Sequence, residues 1–446
     1  MTETTNREIE AIYPLSPMQQ GMLFHSLYAP ESGVYVEQLS CTLRGDLHIS
    51  AFERAWERVV ERHSVLRTGF AWKRLERPLQ AVHRQVGLPW TYMDWRALSP
   101  LEQERQLSAF LRADRKQGFA PARAPLMRMA LVRTSDDTHQ FVWSFHHLLL
   151  DGWSVPLLLR EVLAFYEAHR QGQDLDLPRV RPYQDYIAWL SQQSHDSAEA
   201  YWRRALEGFR APTPLAVDRA PSGQHADYVE QVARLPREVT AALLALGRRH
   251  HLTLHTLVQG AWALLLSRYS GEEDVVFGTT VSGRPTDLTG SESMVGLFIN
   301  TLPARVQVPS DASLVPWLRE LQAQQVEMRQ YEHTPLVEVQ GWSEVPRGLP
   351  LFESILVFEN YPVAASLQGQ VGSLEISNAR SLEQTNYPLT VVSGPGDELV
   401  LKINYDGSRF DPDTITRMLE HLGTLLTSMA VDPTQTLGAL PLLPQH

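Results

Sequence analysis

The stretch Phe145–Gly152 reads FHHLLLDG and stands at a change in the sequence pattern. Before it, Leu126–Arg133 and His139–His147 alternate apolar with polar residues and are joined by a Ser-Asp-Asp turn, which predicts a β-hairpin. After it, Ser154 can cap a long apolar helix that runs to about Arg170. The histidine pair therefore closes a predicted strand, and an Asp-Gly turn leads into a predicted helix.

The pattern on either side of this stretch indicates an α/β fold with two lobes. At 446 residues the chain exceeds the roughly 250–300 residues at which a single core stops growing, so we expect two cores. Residues 171–183 carry Gly, two Pro and several charges without periodicity, and they mark the boundary between an N-terminal lobe, 1–176, and a C-terminal lobe, 177–446. Further elements are predicted in the second lobe: two helices in Val239–Tyr269, strands at Asp274–Val281, Phe352–Phe358 and Leu399–Tyr405, and a helix from Asp413.

Two helices of the first lobe are predicted from their start signals. Ser16 and Gln19 form a capping box ahead of a helix that is expected to end near Tyr28. A second start signal at Ser50 precedes apolar residues at helical spacing, which predicts an amphipathic helix that faces the core.

Composition excludes several classes of function. The formal net charge is −11 and no basic block interrupts it, which argues against a nucleic-acid partner. No apolar run approaches the ~20 residues that span a bilayer and no signal peptide is recognisable, so we expect a cytoplasmic protein without a membrane partner. The single cysteine, Cys41, cannot form an intrachain disulfide and fits a reducing compartment.

Sequence motifs for metals and nucleotides are also missing. His251 and His255 have the i,i+4 spacing of a helical metal site, but Leu252 stands where a zincin carries glutamate, so we expect no metal site. The chain has no Gly-x-Ser-x-Gly elbow, no phosphate-binding loop and no strand-associated Gly-x-Gly-x-x-Gly. Hydrolase, ATP-dependent ligase and Rossmann functions therefore lose support.

The histidine pair is the strongest candidate for chemistry. Adjacent residues on a strand face opposite ways, so His146 and His147 cannot both point into one cavity, and one of them must be structural. Asp151 can brace the following loop by pairing with a cation, for which Arg67 is the natural candidate, and Gly152 leaves a backbone N–H unshielded by a side chain. From spacing alone, a catalytic pair and a satisfied core pair both stay open.

The stretch resembles the His-His-x-x-x-Asp-Gly motif of condensation domains from nonribosomal peptide synthetases. Further segments match the same family in the same order: Ser16–His25, Arg62–Phe70, Tyr183–Trp189, Val295–Thr301 and Glu332–Val339. The resemblance implies two lobes, each similar to chloramphenicol acetyltransferase, in a V-shaped pseudo-dimer with a central tunnel that crossover loops of the C-terminal lobe close.

The same resemblance assigns roles to individual residues. His147 is implied to be the catalytic histidine, and an ion pair is implied between Arg67 and Asp151. His146 supports the local structure, and Gly152 lines the reaction centre through its backbone. The remaining candidates for lining the tunnel are Asn300 and Ser16.

The implied reaction joins a donor acyl or peptidyl thioester to the amine of an aminoacyl acceptor. The substrates are thioesters on the phosphopantetheine arms of carrier proteins or on coenzyme A, and no cofactor is expected to be bound covalently. The implied partners are donor and acceptor peptidyl carrier proteins and an adjacent adenylation domain. Acyl-CoA joins them in a starter subtype that N-acylates the first amino acid. The alternative is a non-catalytic module of the same fold that recruits a carrier protein or an enzyme; the intact histidine motif favours the enzyme.

Overall fold

The computed structural model of the chain consists of two α/β units and describes residues 8–215, 228–359, 369–372 and 374–443. The first unit comprises the described parts of Met1–Gln193, Arg284–Phe298 and Tyr361–Asn386. The second comprises the described parts of Ser194–Gly283, Ile299–Asn360 and Tyr387–His446. Both units combine helices with a mixed sheet, which confirms the predicted α/β class.

The strands form three sheets within the described residues. They are β1 (Ile9–Pro14), β2 (Val36–Gly45), β3 (Thr68–Ala71), β4 (Leu79–His83), β5 (Trp90–Asp94), β6 (Met127–Arg133), β7 (Thr138–His146), β8 (Tyr228–Arg234), β9 (Asp274–Val281), β10 (Asn300–Gln307), β11 (Ser354–Phe358), β12 (Gly369–Val371), β13 (Leu374–Leu382), β14 (Leu389–Gly394) and β15 (Val400–Asp406). The first unit has a six-stranded sheet in the order β12-β13-β2-β7-β6-β5 and a three-stranded sheet, β1-β4-β3. The second unit has one six-stranded sheet, β10-β9-β11-β14-β15-β8.

The described residues form eleven α-helices, of which six were predicted from the sequence. They are α1 (Pro17–Tyr28), α2 (Ile49–Arg62), α3 (Pro100–Gln117), α4 (Ser154–Arg170), α5 (Tyr183–Leu190), α6 (His195–Ala205), α7 (Arg237–His250), α8 (Leu254–Ser270), α9 (Leu314–Met328), α10 (Leu336–Trp342) and α11 (Pro412–Val431). The capping box is formed, because Ser16 Oγ accepts from the Gln19 amide at 3.2 Å and Gln19 Oε1 accepts from the Ser16 amide at 2.9 Å. Across the described ranges, none of these helices has the length and apolarity that a bilayer-spanning segment requires.

Strand β7 carries the histidine pair to the middle of the first unit's larger sheet. It pairs antiparallel with β6, Val142 opposite Ala130, which confirms the predicted hairpin. On its other side it pairs antiparallel with β2, where Val36 lies opposite His146. Because β7 has a hydrogen-bonded neighbour on each side, the sheet fixes the position at which the histidines leave the strand.

The N-terminus of helix α4 is capped by a different side chain from the one predicted. Ser154 is the first residue of α4 rather than its N-cap. Its backbone N–H donates to Asp151 Oδ1 at 2.9 Å, so the carboxylate satisfies the helix start. The Ser154 hydroxyl lies 2.7 Å from the same carboxylate oxygen and 2.9 Å from the carbonyl oxygen of Gly296. The pattern located the helix start correctly but assigned the cap to the wrong residue.

The first unit extends through Gln193, whereas the sequence placed the boundary at 176/177. Helix α5 belongs to the first unit because its aromatic side chains are buried against the segment Arg284–Phe298. Tyr183 donates its hydroxyl to the carbonyl of Leu297 at 2.5 Å, and the Tyr186 ring centroid lies 4.4 Å from that of Phe298. One boundary in the sequence does not describe this division, because the first unit also includes Arg284–Phe298 and the described part of Tyr361–Asn386.

Candidate functional site

His147 follows directly after β7 and is only partly buried. Its backbone N–H donates to the carbonyl of Tyr35 at 2.9 Å, which extends the pairing of β7 with the β2 side of the sheet by one residue. Its ring Nδ1 lies 2.5 Å from the carbonyl oxygen of Leu150. A carbonyl oxygen can only accept, so Nδ1 carries the proton of the neutral ring and Nε2 is the nitrogen with an open lone pair.

His146 lies on the opposite face and has the opposite tautomer. Its Nδ1 accepts from the backbone N–H of Leu148 at 3.0 Å, so the ring proton is on Nε2, which lies 3.0 Å from Ser26 Oγ. The Ser26 hydroxyl in turn donates to the carbonyl of Met22 at 2.7 Å. The side chain is 2% exposed, and burial, with a smaller contribution from His147, lowers the pKa of His146 to about 3.

The loop Leu148–Leu150 that fixes the His147 ring is itself held by helix α1. All three leucines are fully buried, and the carbonyl of Leu148 accepts from Gln19 Nε2 at 3.0 Å. Gln19 is also fully buried and closes the capping box with its side-chain oxygen. Sequence reasoning identified the capping role of Gln19 but missed its contact with the loop, because that partner is remote in the chain.

Asp151 pairs with Arg284, not with Arg67. Both Asp151 oxygens lie within hydrogen-bond reach of Arg284 Nη2, at 3.1 and 3.3 Å, and the two side chains are 0% and 7% exposed. The carboxylate also accepts from the Ser154 amide and hydroxyl and from the backbone N–H of Phe298, the latter at 3.1 Å. A buried carboxylate needs this full set of donors to offset its desolvation.

Arg284, the partner of Asp151 in this buried ion pair, was not identified from the sequence. Its Nη1 donates to the carbonyls of Ser291 and Met294 at 2.6 and 2.9 Å. Its guanidinium lies 4.0 Å from the ring centroid of Phe298, a cation–π distance. The residue thereby ties the segment Arg284–Phe298 to the turn that follows the histidine pair. Residues 282–293 of the sequence contain Gly and Pro, which is typical of a loop, but nothing local marks this arginine as buried.

The prediction that Arg67 pairs with Asp151 is therefore wrong. Arg67 is 6% exposed and its Nη1 forms an ion pair with Glu10 Oε2 at 2.6 Å. Its Nε donates to the carbonyl of Val60 at 3.1 Å, Nη1 also reaches the carbonyls of His83 and Arg84, and Nη2 reaches that of Glu61. The guanidinium joins the end of α2 to the small β1-β4-β3 sheet, and the contacts described for it do not include Asp151.

The other predicted site residues have local partners. Gly152 lies in the turn between Asp151 and α4 and is partly buried. Ser16 is 3% exposed and caps α1. Asn300, in the second unit, donates both amide hydrogens to backbone carbonyls, those of Glu332 at 2.9 Å and Thr334 at 2.7 Å. The tunnel-lining roles of Gly152, Ser16 and Asn300 stay predictions.

The arrangement around His147 is suited to proton transfer. A half-buried imidazole with its tautomer set by a backbone carbonyl presents an acceptor nitrogen, and the backbone that carries it is fixed by the sheet, by Gln19 and by the Asp151–Arg284 pair. In the part of the chain that the structure describes, no three His, Cys, Asp or Glu side chains are grouped so that they could hold a metal ion.

Comparison with known proteins gives one consistent result. The family model described as "Condensation domain" matches residues 9–446. A linear gramicidin synthase subunit from Brevibacillus parabrevis is 51% identical to this chain over 445 residues, which cover 99% of this chain and 6% of that protein. The chain therefore spans a small part of the length of this curated relative.

Solved structures share the fold. The starter condensation domain of rhizomide synthetase, solved as a mutant with C8-CoA, superimposes with a TM-score of 0.84 at 21% identity, covering 97% of this chain and 98% of that one. The X-domain from teicoplanin biosynthesis, solved in complex with OxyB, superimposes with a TM-score of 0.81 at 24% identity, covering 97% of this chain and 96% of that one. Both similarities establish the fold.

Proposed function

Because this chain belongs to the condensation domain family, we propose that it forms an amide bond between a donor acyl or peptidyl thioester and the amine of an aminoacyl acceptor on a carrier protein. One observation carries the proposal. His147 donates Nδ1–H to the Leu150 carbonyl, so its Nε2 is the ring nitrogen that can accept a proton. An amine attacking a thioester must lose one proton, and in this proposal Nε2 of His147 takes it.

The proposed reaction balances without a cofactor. The neutral amine attacks the thioester carbonyl carbon, the C–N bond forms and the C–S bond breaks. One N–H proton passes to Nε2 of His147, and the leaving sulfur takes up a proton, so the products are an amide and a thiol. A thiolate is a good leaving group and the amine is already nucleophilic, so no protein nucleophile is needed.

Positioning contributes more than the base in this proposal. A free α-amine has a pKa of about 7.7–8.0, so a sizeable fraction is neutral near pH 7.5. A well-placed general base supplies ~100- to 10,000-fold, or about 2.7–5.4 kcal/mol. Holding both thioesters in a near-attack geometry can supply about 7–11 kcal/mol. His147 therefore acts on a reaction whose barrier is lowered mainly by bringing the substrates together.

The substrates proposed are phosphopantetheine thioesters. The acceptor is an aminoacyl carrier protein, and the donor is a second carrier protein or, in a starter reaction, acyl-CoA, because both present the same pantetheine thioester. An adenylation domain would load the acceptor carrier. The similarity to a much longer synthase, of which this chain matches 6%, supports a domain that works among others in a larger enzyme.

A recruiting module of the same fold is the second candidate. The X-domain from teicoplanin biosynthesis has this fold and was solved with OxyB bound, so the fold by itself does not distinguish catalysis from recruitment. The geometry of His147 favours catalysis here, because a recruiting surface has no use for a fixed tautomer with an accepting Nε2.

The deciding experiment is intact-mass analysis of an aminoacyl carrier protein incubated with the domain. One arm supplies acyl-CoAs of several chain lengths, and the other supplies acyl and peptidyl carrier proteins. A mass gain equal to one donor acyl group, lost in His147→Ala, is the expected result, and the arm that shows it identifies the donor class. Carrier binding without a mass gain in either arm would replace the proposal by recruitment.

A further inference from the structure

Tyr35 stands between the histidine motif and a remote segment of the first unit. Its φ of 63° lies in the left-handed region, which residues with a Cβ rarely adopt. Its backbone N–H donates to the carbonyl of Gln384 at 3.0 Å, and its carbonyl accepts from the His147 N–H at 2.9 Å. An uncommon backbone conformation is thus held from both sides, and one of those sides is the candidate catalytic residue.

The side chain of Tyr35 is anchored as firmly as its backbone. Tyr35 is 6% exposed, and its hydroxyl donates to Asn386 Oδ1 at 2.6 Å. Asn386 Nδ2 lies 3.3 Å from His25 Nε2, and burial lowers the pKa of His25, which keeps that nitrogen an acceptor near neutral pH. The three side chains form a chain of hydrogen bonds from α1 through Asn386 to Tyr35.

The Tyr35 ring also contacts the His147 ring. Their centroids are 6.4 Å apart with an interplanar angle of 69°, an edge-to-face arrangement. His147 therefore touches Tyr35 twice, once through the backbone and once through the ring. The Leu150 carbonyl limits rotation of the imidazole from one side, and Tyr35 limits it from another.

We propose that Tyr35 is a positioning residue for His147, held in place by its hydrogen bond to Asn386. It keeps the imidazole in the rotamer in which Nδ1–H meets the Leu150 carbonyl, and it thereby fixes the direction of Nε2. The inference rests on the proposed function for its effect on rate, but its effect on the imidazole is independent of any reaction.

The test uses paired variants of the whole chain. Tyr35→Phe removes the hydroxyl and keeps the ring, Asn386→Leu removes the acceptor at similar volume, and Asn386→Asp keeps an acceptor oxygen. Tyr166→Phe is the matched control, since it is a fully buried tyrosine of the same unit whose hydroxyl accepts from the His48 amide. The first two should lower kcat of amide formation about 10-fold with KM changed less than about 2-fold, because small misplacements of a catalytic group are costly.

Two comparisons among these variants distinguish positioning from a loss of folded protein. The double variant Tyr35→Phe with Asn386→Leu should lose no more kcat than either single variant, because both remove the same bond. Asn386→Asp should recover most of the rate. Additive losses, or a loss in Tyr166→Phe equal to that in Tyr35→Phe, would overturn the inference.

A spectroscopic measurement separates this inference from the proposed function. Nitrogen NMR of selectively labelled histidine reports which ring nitrogen carries the proton, and His146, with the opposite tautomer, serves as the internal reference. We expect the His147 signals in Tyr35→Phe and Asn386→Leu to move toward a mixture of tautomers while those of His146 stay unchanged. An unchanged His147 pattern in both variants would overturn the positioning role. If the wild type forms no amide, the proposed function fails while the tautomer result still decides this inference.

Discussion

His146 and His147 are chemically identical neighbours, yet the two faces of the strand end give them opposite properties. His146 is 2% exposed, both of its ring nitrogens are bonded, and its pKa is lowered to about 3. His147 is partly buried, and its one ring contact to a backbone carbonyl sets the tautomer with Nε2 unprotonated. The difference shows that surroundings rather than residue type decide which ring nitrogen of each histidine carries the proton of the neutral ring.

The two faces also differ in what supports them. The His146 ring is held by direct contacts: the amide of Leu148, the hydroxyl of Ser26 on α1 and an edge contact with Phe119. The His147 ring is held through the Leu150 carbonyl of a loop that Gln19 and the Asp151–Arg284 pair fix in turn. Substitution of His146 should therefore change the free energy of unfolding. Substitution of His147 should change the rate of amide formation, and substitution of the residues that hold its loop should also change the free energy of unfolding.

The largest effect is expected for His147→Ala. Loss of the proton acceptor should lower kcat of amide formation by ~100- to 10,000-fold. The side chain is half-buried with one hydrogen bond, so the free energy of unfolding should change by no more than about 1 kcal/mol. Single-turnover product formation and denaturant unfolding on one preparation check both numbers. A folded variant with normal turnover would remove His147 from the mechanism.

The next effect is expected at the buried ion pair. Asp151→Ala and Arg284→Ala should each lower the free energy of unfolding by ~3–5 kcal/mol, because either change leaves an uncompensated buried charge. The double variant should lose less than the sum of the two. Urea unfolding of the three variants gives the coupling energy.

A second pair of charges provides the control for this cycle. Among the described residues, Arg67 and Asp151 share no hydrogen-bond partner, so Arg67→Ala and Asp151→Ala should combine additively within about 0.5 kcal/mol. Coupling between Arg67 and Asp151 together with additivity between Arg284 and Asp151 would restore the pairing that the sequence implied.

A smaller effect is expected from the titration of His146. Its pKa is 6.5 in the unfolded chain and about 3 in the folded one. Between these values the unfolded state binds a proton that the folded state does not, so stability falls as the pH drops below about 6.5. His146→Asn keeps an acceptor for the Leu148 amide but cannot titrate, and it should lose about 1.4 kcal/mol less than the wild type between pH 7.5 and 5.5.

The comparison with the variant isolates one histidine. His255, whose pKa burial lowers to about 4, contributes a similar dependence in both proteins and cancels. Parallel curves of unfolding free energy against pH for wild type and His146→Asn would mean that His146 binds a proton as readily in the folded state as in the unfolded one.

Elements whose signals are local were predictable from sequence. The Ser16–Gln19 capping box involves residues three apart, the hairpin of β6 and β7 follows from alternation and a turn, and the strand Asp274–Val281 was predicted with its observed bounds. In each case the stabilising partner is within a few residues or follows from a short period. The histidine pair was located by the same reasoning, because a strand end is a local feature.

Partners remote in the chain were not predictable in this way. Arg284 is 133 residues from Asp151, and its neighbourhood carries only turn chemistry. Arg67 was the cation that the family resemblance implied as the partner of Asp151. In the structure this arginine is satisfied by backbone carbonyls and by Glu10, and the sequence contains no distances that could show this. Hydrogen-bond satisfaction of a buried charge is a property of the folded neighbourhood.

The smallest change in stability is expected for Gly152→Ala. This variant tests whether the turn after His147 lines the reaction centre. Gly152 is not among the described glycines with positive φ, so alanine can adopt its conformation and the free energy of unfolding should change by less than about 1 kcal/mol. If the backbone of Gly152 lines the reaction centre, a methyl group there displaces the approaching thioester and should lower kcat about 10-fold.

The measurement is single-turnover product formation beside a denaturant curve, with Gly172→Ala as the comparison. Gly172 has a φ of +68° at the end of α4, so alanine there should cost stability and leave the rate unchanged. Full activity in Gly152→Ala would assign that residue to the turn alone and leave His147 as the only residue of the motif that meets the substrates.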